Sequence, residues 1–242
     1  MKKLIILLMA CCMIGTQAWS QKTVRDGNVQ KRDLKNFKSI EVSHGIDLYL
    51  SQSAEEAVAV SAEKDEYRDK ITTKVENGVL KIAYEKDDSD KNWSGNWGNK
   101  KLKAYVSVKT LEKLAASGGS DVFCEDMINA GALKISISGG SDLKGAFTCT
   151  ELSVVSSGGS DADLKGKTSR LQINASGGSD VNAFDMNSEF CTVRSSGGSD
   201  VNVNVSKSID ADASGGSDIH YKGTPSETKT NKSGSSDIKK VS

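Results

Sequence analysis

The sequence predicts an all-β protein: a right-handed parallel β-helix of rungs about 19 residues long, with N-terminal β-strands continuous with it or capping it. Three observations predict this. The pentapeptide S-G-G-S-D occurs six times, starting at Ser117, Ser138, Ser157, Ser176, Ser196 and Ser214, and a variant, S-G-S-S-D, starts at Ser233. Successive copies start 18 to 21 residues apart, a length that suits a supersecondary unit stacked on copies of itself. Apolar residues recur at fixed offsets from each first serine. Three positions before it stand Leu114, Ile135, Val154, Ile173, Val193 and Ala211; five after it stand Val122, Leu143, Ala162, Val181, Val201, Ile219 and Ile238. Both offsets are odd, so two short strands flanking the pentapeptide point these residues to one side and leave Ser, Gly and Asp at the even positions facing out. One such stripe cannot bury itself, and stacking builds the core.

The elements follow in chain order. Residues 1–20 read as a secretory signal, because Lys2 and Lys3 precede a short apolar run, Leu4 to Ile14, and Ala18 and Ser20 suit a cleavage site after Ser20. Leu8-Met9-Ala10-Cys11 loosely resembles a lipoprotein signal, so the chain meets a membrane only if Cys11 is lipidated. The expected location is outside the inner membrane: periplasm, outer-membrane surface or extracellular. Residues 21–35 form an N-terminal extension, and 36–242 a single domain, divided into N-terminal strands (36–110) and solenoid repeats (111–242). Within the first part, alternating runs predict strands over Ser39–Ser43, Ile46–Ser51, Ala57–Ala62, Ile71–Glu76, Val79–Tyr84 and Leu102–Val108, with one short helical turn between Glu63 and Lys70. Asn77-Gly78 predicts a type I′ hairpin, since both residues tolerate positive φ. Asp87 to Lys101 reads as a projecting loop that carries Trp93 and Trp97. At the far end, Thr228, Thr230 and Lys232 stand where earlier rungs are apolar or small, which predicts a polar cap over the open end of the stack.

The segment V-S-H-G-I-D-L-Y-L (Val42 to Leu50), the following V-A-V-S-A strand, the hairpin I-T-T-K-V-E-N-G-V-L-K-I and the recurring S-G-G-S-D together resemble the autotransporter adhesin, head GIN domain family. This is a family of exported bacterial proteins otherwise described as a domain of unknown function. Gly45-Ile46-Asp47 stands where the family name spells G-I-N. The resemblance spans about residues 36 to 220, and it implies a β-helix-like fold and an adhesin role.

Composition and motifs restrict the chemistry. Lys and Arg number 32 and Asp and Glu 32, and loss of Lys2 and Lys3 with the signal leaves a slight acidic excess, so no nucleic-acid footprint exists. Cys124, Cys149 and Cys191 have no CxxC spacing or neighbouring histidine and read as small buried hydrophobes. No G-x-S-x-G, H-E-x-x-H or P-loop motif occurs, and His44 and His220 are isolated, so no catalytic residue or cofactor is assigned.

The repeated aspartates are expected to accept hydrogen bonds from their own turn amides. If calcium binds at all, Asp142, Asp161, Asp180 and Asp200 are the candidate ligands, although the second Gly-x-Asp element of calcium-binding β-rolls is missing. Trp93 and Trp97 are the ligand-contact candidates. The chain thus reads as a non-catalytic cell-envelope binding or adhesion module for a glycan or for an envelope or host surface protein. A structural envelope protein without a specific ligand, and a carbohydrate-active enzyme on a β-helix scaffold, are the alternatives.

Overall fold

The computed structural model describes residues 28–85 and 100–242. Cys11, the cleavage point after Ser20, and Trp93 and Trp97 lie outside the described residues. Within them, sixteen strands join in one coiled sheet.

The repeats form five long strands, β9 (Val122–Ser138), β10 (Leu143–Ser157), β11 (Ala162–Ser176), β12 (Val181–Gly197) and β13 (Asp200–Gly215), each parallel to the next. Leu143 pairs with Ala162 and Val154 with Ile173, so residues 19 apart lie one strand spacing apart and every rung closes on itself. One corner is the S-G-G-S-D turn. The opposite corner carries the register shifts, between Lys144 and Ala146, between Asp163 and Lys165 and between Ala183 and Asn187, where bulges bend each strand without ending it. Buried Phe147 pairs with Gly166, where a Cβ would meet the Phe147 backbone, and its ring lies against Gly145, where a Cβ would sit 2.7 Å from Cζ.

The N-terminal strands are rungs of the same stack. β2 (Ser39–Ser43) pairs in parallel with β8 (Lys113–Ser117), and β3 (Asp47–Gln52) with the start of β9. Ser43 faces Ser117 and Leu48 faces Val122, so His44-Gly45-Ile46-Asp47 occupies the place of Gly118-Gly119-Ser120-Asp121. The S-H-G-I-D segment is therefore a divergent first turn, and the repeat begins in space well before residue 111. On its other side lie β6 (Val79–Tyr84) and β7 (Lys103–Val108), which are parallel to β2 and β3 and complete an outermost rung. The rung that comes first in sequence is thus enclosed between two later ones.

Antiparallel strands close that end. β5 (Ile71–Glu76) forms a hairpin with β6 through Asn77 and Gly78, whose φ values of 50° and 75° are those a type I′ turn requires. β4 (Ala57–Ser61) pairs with β7, and β1 (Gln30–Arg32) with β4. The helical turn α1 (Asp65–Arg68) joins β4 to β5. At the C-terminal end β14 (Asp218–Lys222) and β15 (Glu227–Lys232) stack on β13, and β16 (Asp237–Lys240) stacks on β14. β15 is exposed throughout, and Thr228 and Thr230 overlie buried Ile209 and Ala211, as a polar cap requires.

Two unbroken columns fill the interior. Leu80, Ile40, Leu114, Ile135, Val154, Ile173, Val193 and Ala211 form one. The other is Ala104, Leu48, Val122, Leu143, Ala162, Val181, Val201 and Ile219. All sixteen residues are buried. Cys149 and Cys191 are buried as well, and burial pushes the thiols of Cys124 and Cys191 up to about 12, which keeps them protonated and inert.

Candidate functional site

Two outward features could meet a ligand: the S-G-G-S-D edge and the lateral face of the first arm of each rung. The edge is organised by two hydrogen-bond ladders that run in opposite directions. On the outside, the amides of successive aspartates donate to the carboxylate one rung before, Asp142 to Asp121 at 3.1 Å, Asp161 to Asp142 at 3.3 Å, Asp180 to Asp161 at 3.2 Å and Asp200 to Asp180 at 3.2 Å, whereas the Asp218 amide donates to the Ser199 carbonyl. The sequence reading expected bonds within one turn. Stacking instead places the next rung's amide beside each carboxylate, and the ladder starts at Asp47, which accepts from the Asp121 amide. Burial, with repulsion from Asp121 added, raises the Asp47 carboxyl above the ordinary aspartate value, while Lys103 and that amide act the other way.

The inside ladder was missed from sequence. The second serines of the turns, Ser120, Ser141, Ser160, Ser179, Ser199 and Ser217, are all completely buried. Their hydroxyls accept from the preceding rung: Ile46 N–H to Ser120 Oγ at 3.0 Å, Ser120 N–H to Ser141 Oγ at 3.0 Å and Ser141 N–H to Ser160 Oγ at 3.1 Å. The same hydroxyl groups donate within their turns, as from Ser179 to the Ser176 carbonyl at 2.9 Å. Parity was the available signal, because this serine shares the odd offsets of the apolar columns and a buried hydroxyl there needs partners. Serine and aspartate together thus bind each turn to both of its neighbours.

The two glycines differ in what fixes them. The first has positive φ in every copy, and a Cβ there would approach the preceding turn's backbone, as at Gly197, 3.0 Å from Gly177 N. His44 holds this place in the first turn with φ 67°. The second glycine has open space around it in Gly119, Gly140, Gly159 and Gly178 and is held there by positive φ alone. From Gly198 onward that φ is no longer positive, which explains how Ser235 replaces glycine in the last copy.

The lateral face carries a straight row of outward residues. Lys31 pairs with Ala59, Ala59 with Tyr105, Tyr105 with Tyr49, Tyr49 with Phe123, and Phe123 with Lys144. Identical positions on neighbouring strands put the three aromatic rings in register. Tyr49 stacks on Tyr105 at 5.2 Å and 23°, and on Phe123 at 5.4 Å and 26°. All three are half-buried, and both lysines are exposed. Gln52 ties this face to the far corner, accepting from the Asn129 amide at 2.7 Å and donating to the Asn129 carbonyl at 2.9 Å.

The other candidates do not converge. Among the described residues no three His, Cys, Asp or Glu side chains form a metal-ligand group. His44 bonds Ser43 through Nδ1 at 2.8 Å on the first turn, whereas His220 lies near the opposite end. A groove of about 450 Å³ at the second corner is lined mainly by polar side chains, among them Thr148, Lys167, Asn187 and Ser188.

Comparison with known proteins agrees with this architecture. Residues 36–225 match the family described as "Putative auto-transporter adhesin, head GIN domain". No curated protein matches the chain. A solved structure of a "putative adhesin" from Bacteroides fragilis NCTC 9343 is similar, with 24% identity and a TM-score of 0.78 over 88% of this chain and 96% of that one. A "putative lipid binding protein" from Parabacteroides distasonis ATCC 8503 has 22% identity and a TM-score of 0.68 over 90% of this chain and 98% of that one. A "putative adhesin" from Parabacteroides merdae ATCC 43184 has 15% identity and a TM-score of 0.68 over the same shares, 90% and 98%. These three share the fold. With its family match running from Asn36 to Pro225 across the cap, the divergent first turn and the S-G-G-S-D ladder, the chain belongs to the auto-transporter adhesin, head GIN domain family.

Proposed function

We propose that the chain is a non-catalytic adhesion module of the cell envelope, acting at the surface or outside the cell, and that its lateral face binds a surface polymer. Family membership supports the location and a binding role. The observation that carries the reading is the aromatic row. Tyr105, Tyr49 and Phe123 occupy outward positions in register on three paired strands, whereas the exposed apolar residues Met127, Val155 and Phe190 pair with Ala146, Asn174 and Arg170 and form no such row. A rigid solenoid keeps such a row straight, which suits contact with an extended partner.

Protein recovered from its own cells, with a mature N-terminus expected at Gln21 by mass spectrometry, should adhere to cell-surface or mucin preparations without degrading their glycans. Failure to adhere to any of them overturns the reading. Release of sugar fragments would instead assign a carbohydrate-active enzyme.

The same reading makes the aspartate ladder structural, with no calcium required. Carboxylates about 4.8 Å apart repel by about 3 kcal/mol at an effective dielectric of about 20, and less in solvent. An amide donor on each of Asp121, Asp142, Asp161 and Asp180 offsets part of that repulsion. Thermal melts in excess EDTA and in millimolar calcium should therefore nearly coincide. A calcium-dependent rise of tens of degrees, lost in Asp161→Asn and Asp180→Asn, would make a bound ion structural.

A further inference from the structure

We propose that the row Lys31–Ala59–Tyr105–Tyr49–Phe123–Lys144 is the binding site for a linear anionic polysaccharide lying across the strands. The inference rests on the adhesion reading above and adds to it a ligand class and a face.

Ring orientation comes first. Near-parallel stacking at 5.2 and 5.4 Å covers much of each ring face with its neighbour, so the row turns mainly ring edges outward. The edge of an aromatic ring carries the positive part of its quadrupole and attracts anionic oxygen. Charge at the ends agrees with this. Lys31 and Lys144 close the row on either side, both exposed. Five strand steps separate them, about 24 Å at the spacing of a sheet, which a polymer of several sugar units spans and a monosaccharide does not.

The acidic groups lie beside the row or past its end. Asp47 stands in register with Lys103 at the turn edge, Asp121 follows it there, and Asp163 adjoins Lys144 on the next rung. Ala59 puts a small side chain between Lys31 and Tyr105 and keeps the row open at that end. An extended polymer with carboxylate or sulfate groups can thus reach both lysines while its anionic oxygens meet the ring edges between them.

Affinity electrophoresis of the full chain in gels containing chondroitin sulfate, polygalacturonate or neutral dextran tests this. We expect retardation by at least one anionic polymer, weakened by salt, and none by dextran. Tyr49→Ala and Tyr105→Ala should each weaken binding about tenfold or more, with Tyr49→Phe staying within about twofold. The double variant Lys31→Gln, Lys144→Gln lies at exposed positions and should remove the preference for anionic polymer, whereas Lys134→Gln on the other arm should change nothing. Equal retardation of wild type and the lysine double variant overturns the site. So does adherence of the wild type to a surface protein with no retardation by either anionic polymer. Adherence of wild type and row variants alike would sink this site and leave the adhesion reading standing, whereas a wild type that adheres to nothing sinks both.

Discussion

Replacing Ile173 by Asp should abolish cooperative unfolding of the central rungs, costing about 4 kcal/mol or more. Ile173 is completely buried and lies between Val154 and Val193 in an interior column that runs from Leu80 to Ala211. Nothing in that column can accept or neutralise a carboxylate. The buried hydroxyls on the flanking rungs are already engaged, Ser156 donating to the Ser160 carbonyl and Ser195 to the Ser199 carbonyl, as are those of the turn serines. Ile173→Val removes one methylene and should cost only about 1 kcal/mol. Denaturant titration followed by circular dichroism separates the two variants. Stability near wild type in Ile173→Asp would mean that the column does not face inward.

Gly166→Ala should be nearly as damaging, at about 3 to 5 kcal/mol, although it adds a single methyl group. A Cβ at Gly166 would sit 2.1 Å from the Phe147 carbonyl oxygen and 3.1 Å from Phe147 N, and the residue's φ is 113°. Both obstacles are backbone, so no side-chain rotation relieves them, and moving the strand would break the parallel pairing of β10 with β11. Gly131→Ala is the control. Gly131 has open space around it and no positive φ, so alanine there should be neutral or stabilise by about 0.5 kcal/mol. Equal melting temperatures for the two variants would refute the steric account.

The solenoid was legible because its period is short and its core is repetitive. Offsets counted from each first serine named the buried columns, and Asn77-Gly78 named the hairpin. What escaped depends on contacts between segments distant in sequence. His44-Gly45-Ile46-Asp47 shares only glycine and aspartate with the repeat at matching positions, so its identity as a first turn appears once Ser43 is seen against Ser117. The aromatic row escaped for the same reason. Tyr49, Tyr105 and Phe123 are each a single aromatic residue in an alternating strand, and only the pairing of β3 with both β7 and β9 puts them side by side. The aspartate partners were misassigned within one turn because a motif read linearly has no neighbour above or below it.

The enclosure of the first rung between two later ones bears on how the chain assembles as it is made. A chain emerging N-terminus first exposes β2 and β3 with both edges open. The next segment to arrive, through β6 and β7, can close one of those edges and carries its own antiparallel strands, β4 and β5, as a seal. By the time Lys113 appears, a single template edge remains, and rungs can be added in one direction only. Once β8 has docked on β2, each further rung docks on the one made just before it, about 19 residues earlier, so loop closure stays short however long the stack becomes. Growth then stops chemically, when threonine and lysine replace the apolar residues that a further rung would need beneath it.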